Sequence, residues 1–259
     1  MTYSRSFSAL ILRIRPAILG QWIKRLLFWS RQDVHVADGF FWVDMASNFG
    51  FRLTSAQGYE PETKAMLSSF LKPGMAFVDL GANEGFFSVV ASRLVGPAGR
   101  VLAIEPQSRL GSVIRRNLDL NAANNVSLAQ VAISYAVFCL EKKLAPDTNS
   151  GSSGLSRATR YTNPTQSVRL LTLDSCLREN EVTSVDVMKI DVEGYEYEAI
   201  LGSKDLFRSR KVVRVLIEVH DNLLKARGLR AQDISDFLTS CGYECQAQHG
   251  FLVFTSPQL

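Results

Sequence analysis

At 259 residues, 46% apolar and 21% charged, the chain has room for one α/β domain with an extension. Its composition excludes collagenous, mucin-like and wholly disordered chains. The net charge of +4 is unevenly placed, because Arg5, Arg13, Arg15, Lys24, Arg25 and Arg31 lie in the first 32 residues without an acid, leaving 23 basic against 25 acidic residues in the rest. That describes a basic arm on a near-neutral body, not the basic working face of a nucleic-acid enzyme. Apolar runs stop short of the roughly 18 residues of a membrane span, and Arg13 and Arg15 break up any secretory signal. Cys139, Cys176, Cys241 and Cys245 show neither disulfide-scaffold density nor zinc-ligand spacing, so reduced packing cysteines and a cytoplasmic location are expected.

In chain order, Ile18, Leu19, Trp22, Ile23, Leu26 and Trp29 follow helical spacing beside Lys24 and Arg25. Residues 9–29 are therefore expected to form a basic amphipathic helix, divided at Pro16, lying peripherally on the cytoplasmic face of a membrane. Residues 1–56 read as an N-terminal extension and 57–259 as the folded domain. Pro61 starts a helix with Met66, Leu67, Phe70 and Leu71 on one face, expected to lid a sheet. Short apolar runs then alternate with amphipathic stretches. Strands are predicted at 76–80, 100–105, 126–132, 185–191 and 212–219, with helices from Glu84 to Gly96-Pro97, from Pro106 to Asn121 and over 231–240. The segments 243–248 and 251–255, joined at His249-Gly250, form a hairpin. The order predicts an α/β fold with a mostly parallel sheet, helices on both faces and a terminal antiparallel strand. The Asn/Ser/Gly stretch Asn149–Gly154 is either a surface loop or a lid over an active site.

Chemistry gathers at the ends of these strands. In Phe77-Val78-Asp79-Leu80-Gly81-Ala82-Asn83-Glu84-Gly85 a strand meets a glycine turn and then a helix, whose first N–H groups are available to a ligand. Asn83 and Phe86 replace the second and third glycines of a G-x-G-x-x-G fingerprint, which disfavours a nicotinamide dinucleotide. Glu105 ends the next strand, where nucleoside-binding folds place the carboxylate that accepts from both ribose hydroxyls. Lys189 and Asp191 alternate onto one face of a strand that should be apolar, and Glu218 and His220 repeat the anomaly. Such charges are either a structural pair or a site. Ligands bind beyond the carboxyl ends of open α/β sheets, so Gly81, Glu105, Asp191 and Glu218 are predicted to converge on one rim.

Together with Tyr59-Glu60-Pro61, Ile104-Glu105-Pro106, Asn117-Leu118 with Asn121, Thr172-Leu173-Asp174, Lys189-Ile190-Asp191-Val192-Glu193-Gly194 with Glu196, and Glu218 with His220, the glycine turn resembles the FkbM-type family. This is a group of S-adenosylmethionine-dependent methyltransferases within the Rossmann-like class I fold. The likeness spans about residues 57–245, and Glu84 departs from it, since members more often carry an apolar residue there. It implies a seven-stranded sheet, S-adenosyl-L-methionine as cofactor, and O-methylation of a hydroxyl on a small-molecule or glycan acceptor such as a sugar or another secondary metabolite. Glu60, Asp79, Gly81, Asn83, Gly85, Glu105 and Asp191 are then the expected donor-binding residues. Asp79 would anchor either the turn or the donor's ammonium group. Lys189, Asp191, Glu193, Glu218 and His220 are the expected catalytic set, supplying a general base or holding a cation. The metal-free route is favoured, because His220 follows Glu218 on one face and Lys189 could neutralise Asp191. A nucleic-acid methyltransferase is the runner-up, although no Asp/Asn-Pro-Pro-Tyr/Phe or Pro-Cys motif occurs. A non-catalytic, membrane-associated nucleoside-binding domain is the alternative from another class.

Overall fold

The computed structural model describes residues 29–136, 138–143 and 165–257, together with 23, 24 and 26. Most of the expected helix over 9–29, and all of the Asn149–Gly154 segment, lie outside the described residues. The central sheet is built from β3 (Ala76–Leu80), β4 (Arg100–Ile104), β5 (Val126–Ala129), β9 (Val185–Ile190), β10 (Val212–Glu218), β11 (Glu244–Gln248) and β12 (Phe251–Thr255), in the order β11-β12-β10-β9-β3-β4-β5. The five strands from β10 to β5 run parallel, and β12 enters antiparallel to β10. From β3 the chain proceeds outward on one side to β4 and β5 and later on the other to β9 and β10. The reversal point therefore lies between β3 and β9, where α/β sheets open a crevice.

The inner strands are mainly apolar on both faces, with Asp79 and Lys189 as buried exceptions, and each face is covered. One core joins Phe77, Val101, Val187 and Leu216 to α2 (Pro61–Phe70), α3 (Phe86–Val95) and α4 (Ser108–Leu120). The other joins Val78, Met188, Ile190 and Ile217 to α5 (Leu173–Glu179), α6 (Glu196–Leu201), α7 (Lys204–Arg208), α8 (Asp221–Lys225) and α9 (Ala231–Ser240). The hairpin of β1 (Gln32–Val36) and β2 (Gly39–Val43), with the following α1 (Asn48–Leu53), contributes Phe41, Val43, Phe49 and Leu53 to the first core. Packing thus continues across the boundary expected at residue 56. The strand expected over 126–132 stops at Ala129. Ala132–Ile133 is β6, which pairs with β8 (Thr165–Leu171) beside β7 (Phe138–Lys143) in a separate three-stranded sheet. Among the described residues no helix is long and apolar enough to cross a membrane.

The N-terminal arm is tied to the body by charge. Lys24 is buried against Asp44, and Trp29 Nε1 donates to Asp44 Oδ1 at 2.9 Å. Arg31 makes a two-pronged contact with Glu84, at 2.6 and 3.0 Å. The carboxylate that departs from the family pattern is therefore the arm's anchor, set in the turn before α3. Asn117 braces that turn by donating to the Glu84 carbonyl at 2.8 Å while accepting from Trp42 N at 2.7 Å. Removing one partner of a buried pair strands the other charge, so Arg31→Ala is expected to cost about 3 kcal/mol in urea unfolding. Arg31→Ala combined with Glu84→Gln should recover much of the loss, whereas a single-variant cost near zero would show that the arm is not anchored there.

Candidate active site

Six stretches of chain, within 47–52, 59–60, 81–83, 105–107, 191–193 and 218–220, meet at the carboxyl end of the sheet. After β3, Gly81, Asn83 and Gly85 take left-handed conformations with φ of 90°, 50° and 83°. The turn closes over β4, with Gly81 and Ala82 N–H groups both donating to the Ile104 carbonyl at 3.0 and 3.1 Å. Glycine is required at 81 because a Cβ there would stand 1.8 Å from the Asp191 carbonyl oxygen. Glu105, buried just past β4, accepts from Asn83 N at 3.0 Å and from Gln107 N at 2.9 Å, joining the turn to the next loop through one carboxylate.

These groups border a cavity of about 250 Å³. Its wall includes Glu60, Gly81, Asn83, Glu105, Asp191, Glu193, Glu218 and His220, all expected from the sequence. Asp79, Gly85 and Lys189 lie outside that wall. Asp79 is buried behind the turn, where its Oδ2 accepts from Ser88 Oγ at 2.7 Å and its Oδ1 has no hydrogen-bond partner. Ser88 belongs to α3, so Asp79 ties β3 to that helix. Lys189 is 1% exposed, 3.2 Å from Asp191 Oδ2 and 5.1 Å above the Phe87 ring. Burial pulls its pKa down, but Asp191, Asp79 and Glu60 more than offset that and raise it, so it remains a buried cation beneath the site.

The structure adds residues that sequence reasoning missed. Asn48, Phe49 and Arg52 of α1 enter the wall, positioned by Ser47, whose hydroxyl caps the helix by accepting from Gly50 N at 3.0 Å. Arg52 lies 4.9 Å above the Tyr59 ring and 3.7 Å from Glu60. The most consequential is Glu196, which the family resemblance included without assigning it a role. Its Oε1 is 2.7 Å from His220 Nδ1 and accepts from Gly194 N at 3.0 Å, while its buried Oε2 has no hydrogen-bond partner. Hydrogen bonding to Glu196 raises the His220 pKa from the ordinary 6.5 to about 9, against the opposing effect of burial and with support from Asp191 and Glu193. Burial first, then Asp191, raises the Glu218 carboxyl. Among the described residues no group of three or more His, Cys, Asp or Glu side chains is arranged to hold a metal ion.

A profile for the methyltransferase FkbM domain matches residues 79–245. The chain belongs to the FkbM methyltransferase family. A profile for protein-L-isoaspartate(D-aspartate) O-methyltransferase also matches residues 23–133. Residues of this FkbM-family chain are 28% identical over 221 positions to AMB antimetabolite synthetase AmbE of Pseudomonas aeruginosa, covering 71% of this chain and 10% of that protein. They are 39% identical over 71 positions to ribosomal RNA large subunit methyltransferase E of Nitrosomonas eutropha, covering 27% of this chain and 32% of that one. The chain thus spans only a tenth to a third of these relatives. A solved FkbM methyltransferase from Methylobacillus flagellatus is 14% identical, with a TM-score of 0.49 over 74% of this chain and 50% of that one.

S-adenosylmethionine is the family's methyl donor, and the cavity fits it. A side chain at 81 is forbidden, so backbone borders the cavity there, and Glu105 brings a carboxylate, the acceptor chemistry that ribose hydroxyls require, into the same wall. Glu105→Ala should weaken donor binding by about 1–3 kcal/mol in calorimetry; unchanged affinity in a folded variant would remove Glu105 from the donor site. A second expectation concerns pH. His220 has a raised folded-state pKa, so its stabilisation by Glu196 is complete below about 6.5 and lost as pH rises through about 9. The stability gap between the natural chain and Glu196→Gln should therefore be widest near pH 6 and shrink across that window. A gap that is constant with pH would mean that the pair does not share a charge.

Proposed function

We propose that this chain methylates a hydroxyl group of a small-molecule or glycan acceptor, a sugar or another secondary metabolite, using S-adenosylmethionine. The observation that carries this reading is Glu218, a half-buried carboxylate at the carboxyl end of β10 that lines the cavity and has a raised pKa. Burial makes such a group a stronger proton acceptor than an exposed carboxylate. When bound, the donor supplies a methyl carbon on a sulfonium, so the acceptor oxygen forms its new bond as the carbon–sulfur bond breaks and the hydroxyl proton departs. Glu218 takes that proton. The turn at Gly81–Gly85, Glu60 and Glu105 hold the donor side, while α1 and Tyr59 border the acceptor side. Alignment supplies much of the acceleration in an in-line displacement, and the base adds to it.

The cavity wall has five carboxylates, Glu60, Glu105, Asp191, Glu193 and Glu218, against Arg52 and His220. That excess of negative charge supports a polyhydroxylated acceptor over a phosphate backbone, which needs basic contacts. The likeness to part of an antimetabolite synthetase supports a secondary-metabolite setting. Labelled S-adenosylmethionine incubated with the enzyme and a cell extract should place label in a methyl ether. Glu218→Gln is expected to slow that transfer by at least about 100-fold with donor affinity unchanged. Label appearing in RNA or protein would overturn the acceptor class, and full activity in Glu218→Gln would remove Glu218 as the base.

A further inference from the structure

We propose that Glu196 is a positioning residue that holds the His220 imidazole protonated on both nitrogens, so that Nε2–H is presented to the acceptor oxygen as a hydrogen-bond donor. This rests on the hydroxyl-methylation reading and assigns His220 a role other than the base. Glu196 opens α6 and is fully buried, so an ionised carboxylate there requires a compensating cation. The side chain engages through Oε1 alone, with His220 Nδ1 at 2.7 Å and Gly194 N at 3.0 Å, and its other oxygen is unpartnered. A carboxylate accepting at Nδ1 fixes a proton on that nitrogen.

Nε2 is 3.9 Å from Asp191 Oδ1 and 3.9 Å from Glu193 Oε2, beyond the reach of a hydrogen bond to either. The groups facing the ring are thus Glu196 from α6, Asp191 and Glu193 from the loop after β9, and Glu218 from the end of β10. All four are carboxyl groups, and all but Glu196 also line the cavity. A doubly protonated ring amid them donates toward the cavity, and the carboxylates are the proton acceptors. The same clamp sets the loop. Glu193 and Gly194 are both left-handed, at φ of 52° and 94°, and Gly194 is held on one side by Glu196 and on the other by Arg227, which donates to its carbonyl. Glu196 therefore fixes the charge of His220 and the course of the loop bearing Asp191 and Glu193.

Nitrogen NMR of the ¹⁵N-labelled chain tests the charge directly. The chain has three histidines, of which His35 and His249 are exposed, and His220→Gln identifies the third signal. The His220 ring should remain doubly protonated through pH 8, and Glu196→Gln should lower its midpoint by more than one pH unit. A natural-chain His220 that loses a proton at or below pH 7, or one whose midpoint is the same in a folded Glu196→Gln, overturns the proposal. The first of these outcomes needs no variant to fold.

The catalytic arm uses the initial rate of label transfer from S-adenosylmethionine into a cell extract, with the extract subsaturating. In the natural chain the rate should fall as pH rises through about 9. In Glu196→Gln the fall should come near the ordinary imidazole value, leaving the variant at least about tenfold slower at pH 8 and restored toward pH 6. A purely structural role would lower the rate equally at every pH. A rate that instead rises as the ring deprotonates would make His220 the base and overturn the proposal. If the natural chain transfers no label at any pH, the hydroxyl-methylation reading fails, and the NMR titration still decides whether Glu196 holds the charge.

Discussion

An ammonium group in the middle of the sheet is the constraint on which the site depends. Lys189 sits on β9 with β3 and β10 on either side, in register with Asp79 and Leu216. At 1% exposure a lone cation there would be costly. Asp191 at 3.2 Å and the nearby Asp79 and Glu60 carboxylates match it. The dependence runs both ways, because burial raises the Asp79 and Glu218 carboxyls and the Lys189 charge opposes that rise. Lys189 therefore acts on the cavity from beneath its floor.

The second constraint is backbone geometry at the reversal point between β3 and β9. The ends of these strands come so close that residue 81 has no space for a Cβ. The loop after β9 answers with its own left-handed pair at Glu193 and Gly194. A non-glycine residue at positive φ is strained and persists only where its surroundings hold it there. Here the holding is visible in Glu196, which accepts from the Gly194 N–H, and Arg227, which donates to the Gly194 carbonyl. Acids that would otherwise swing with a mobile loop are thereby presented to the cavity from a fixed frame, as in-line chemistry requires.

The N-terminal arm follows the same logic. Asp44 accepts from Ala46 N at 2.9 Å and is buried with Lys24, and the chain then turns through Ser47 into α1, which borders the cavity. Arg31 reaches the turn before α3 through Glu84. Two basic residues of the acid-free arm are thus neutralised at the base of the two elements that frame the site. Net charge alone could not reveal this, because it does not say which acid a base will meet.

Much of the fold was legible in the chain because its signals are local. Alternating apolar runs and amphipathic stretches marked the strands and their order, and the turn Gly81–Gly85, the strand-end Glu105 and the misplaced charges at 189, 191, 218 and 220 marked the rim, since hydrophobic period and strand polarity are properties of short segments. The three-stranded sheet of β6, β7 and β8 escaped because β6 has only two residues and β7 and β8 mix polar with apolar side chains, without the near-continuous apolar run that marked the central strands. Glu196 was noticed only as part of the family resemblance, and its role escaped. A glutamate in a helix's first turn is ordinary in sequence, and only packing against His220, 24 residues away, buries it and makes its charge matter. Lys189 reads the same in sequence as the other members of the expected catalytic set, yet tertiary structure puts it under the floor and His220 in the wall. Residue type and period determined which groups reach the end of the sheet. Which of them face the cavity, and in what state of charge, was decided by partners that only the folded chain brings within hydrogen-bond distance.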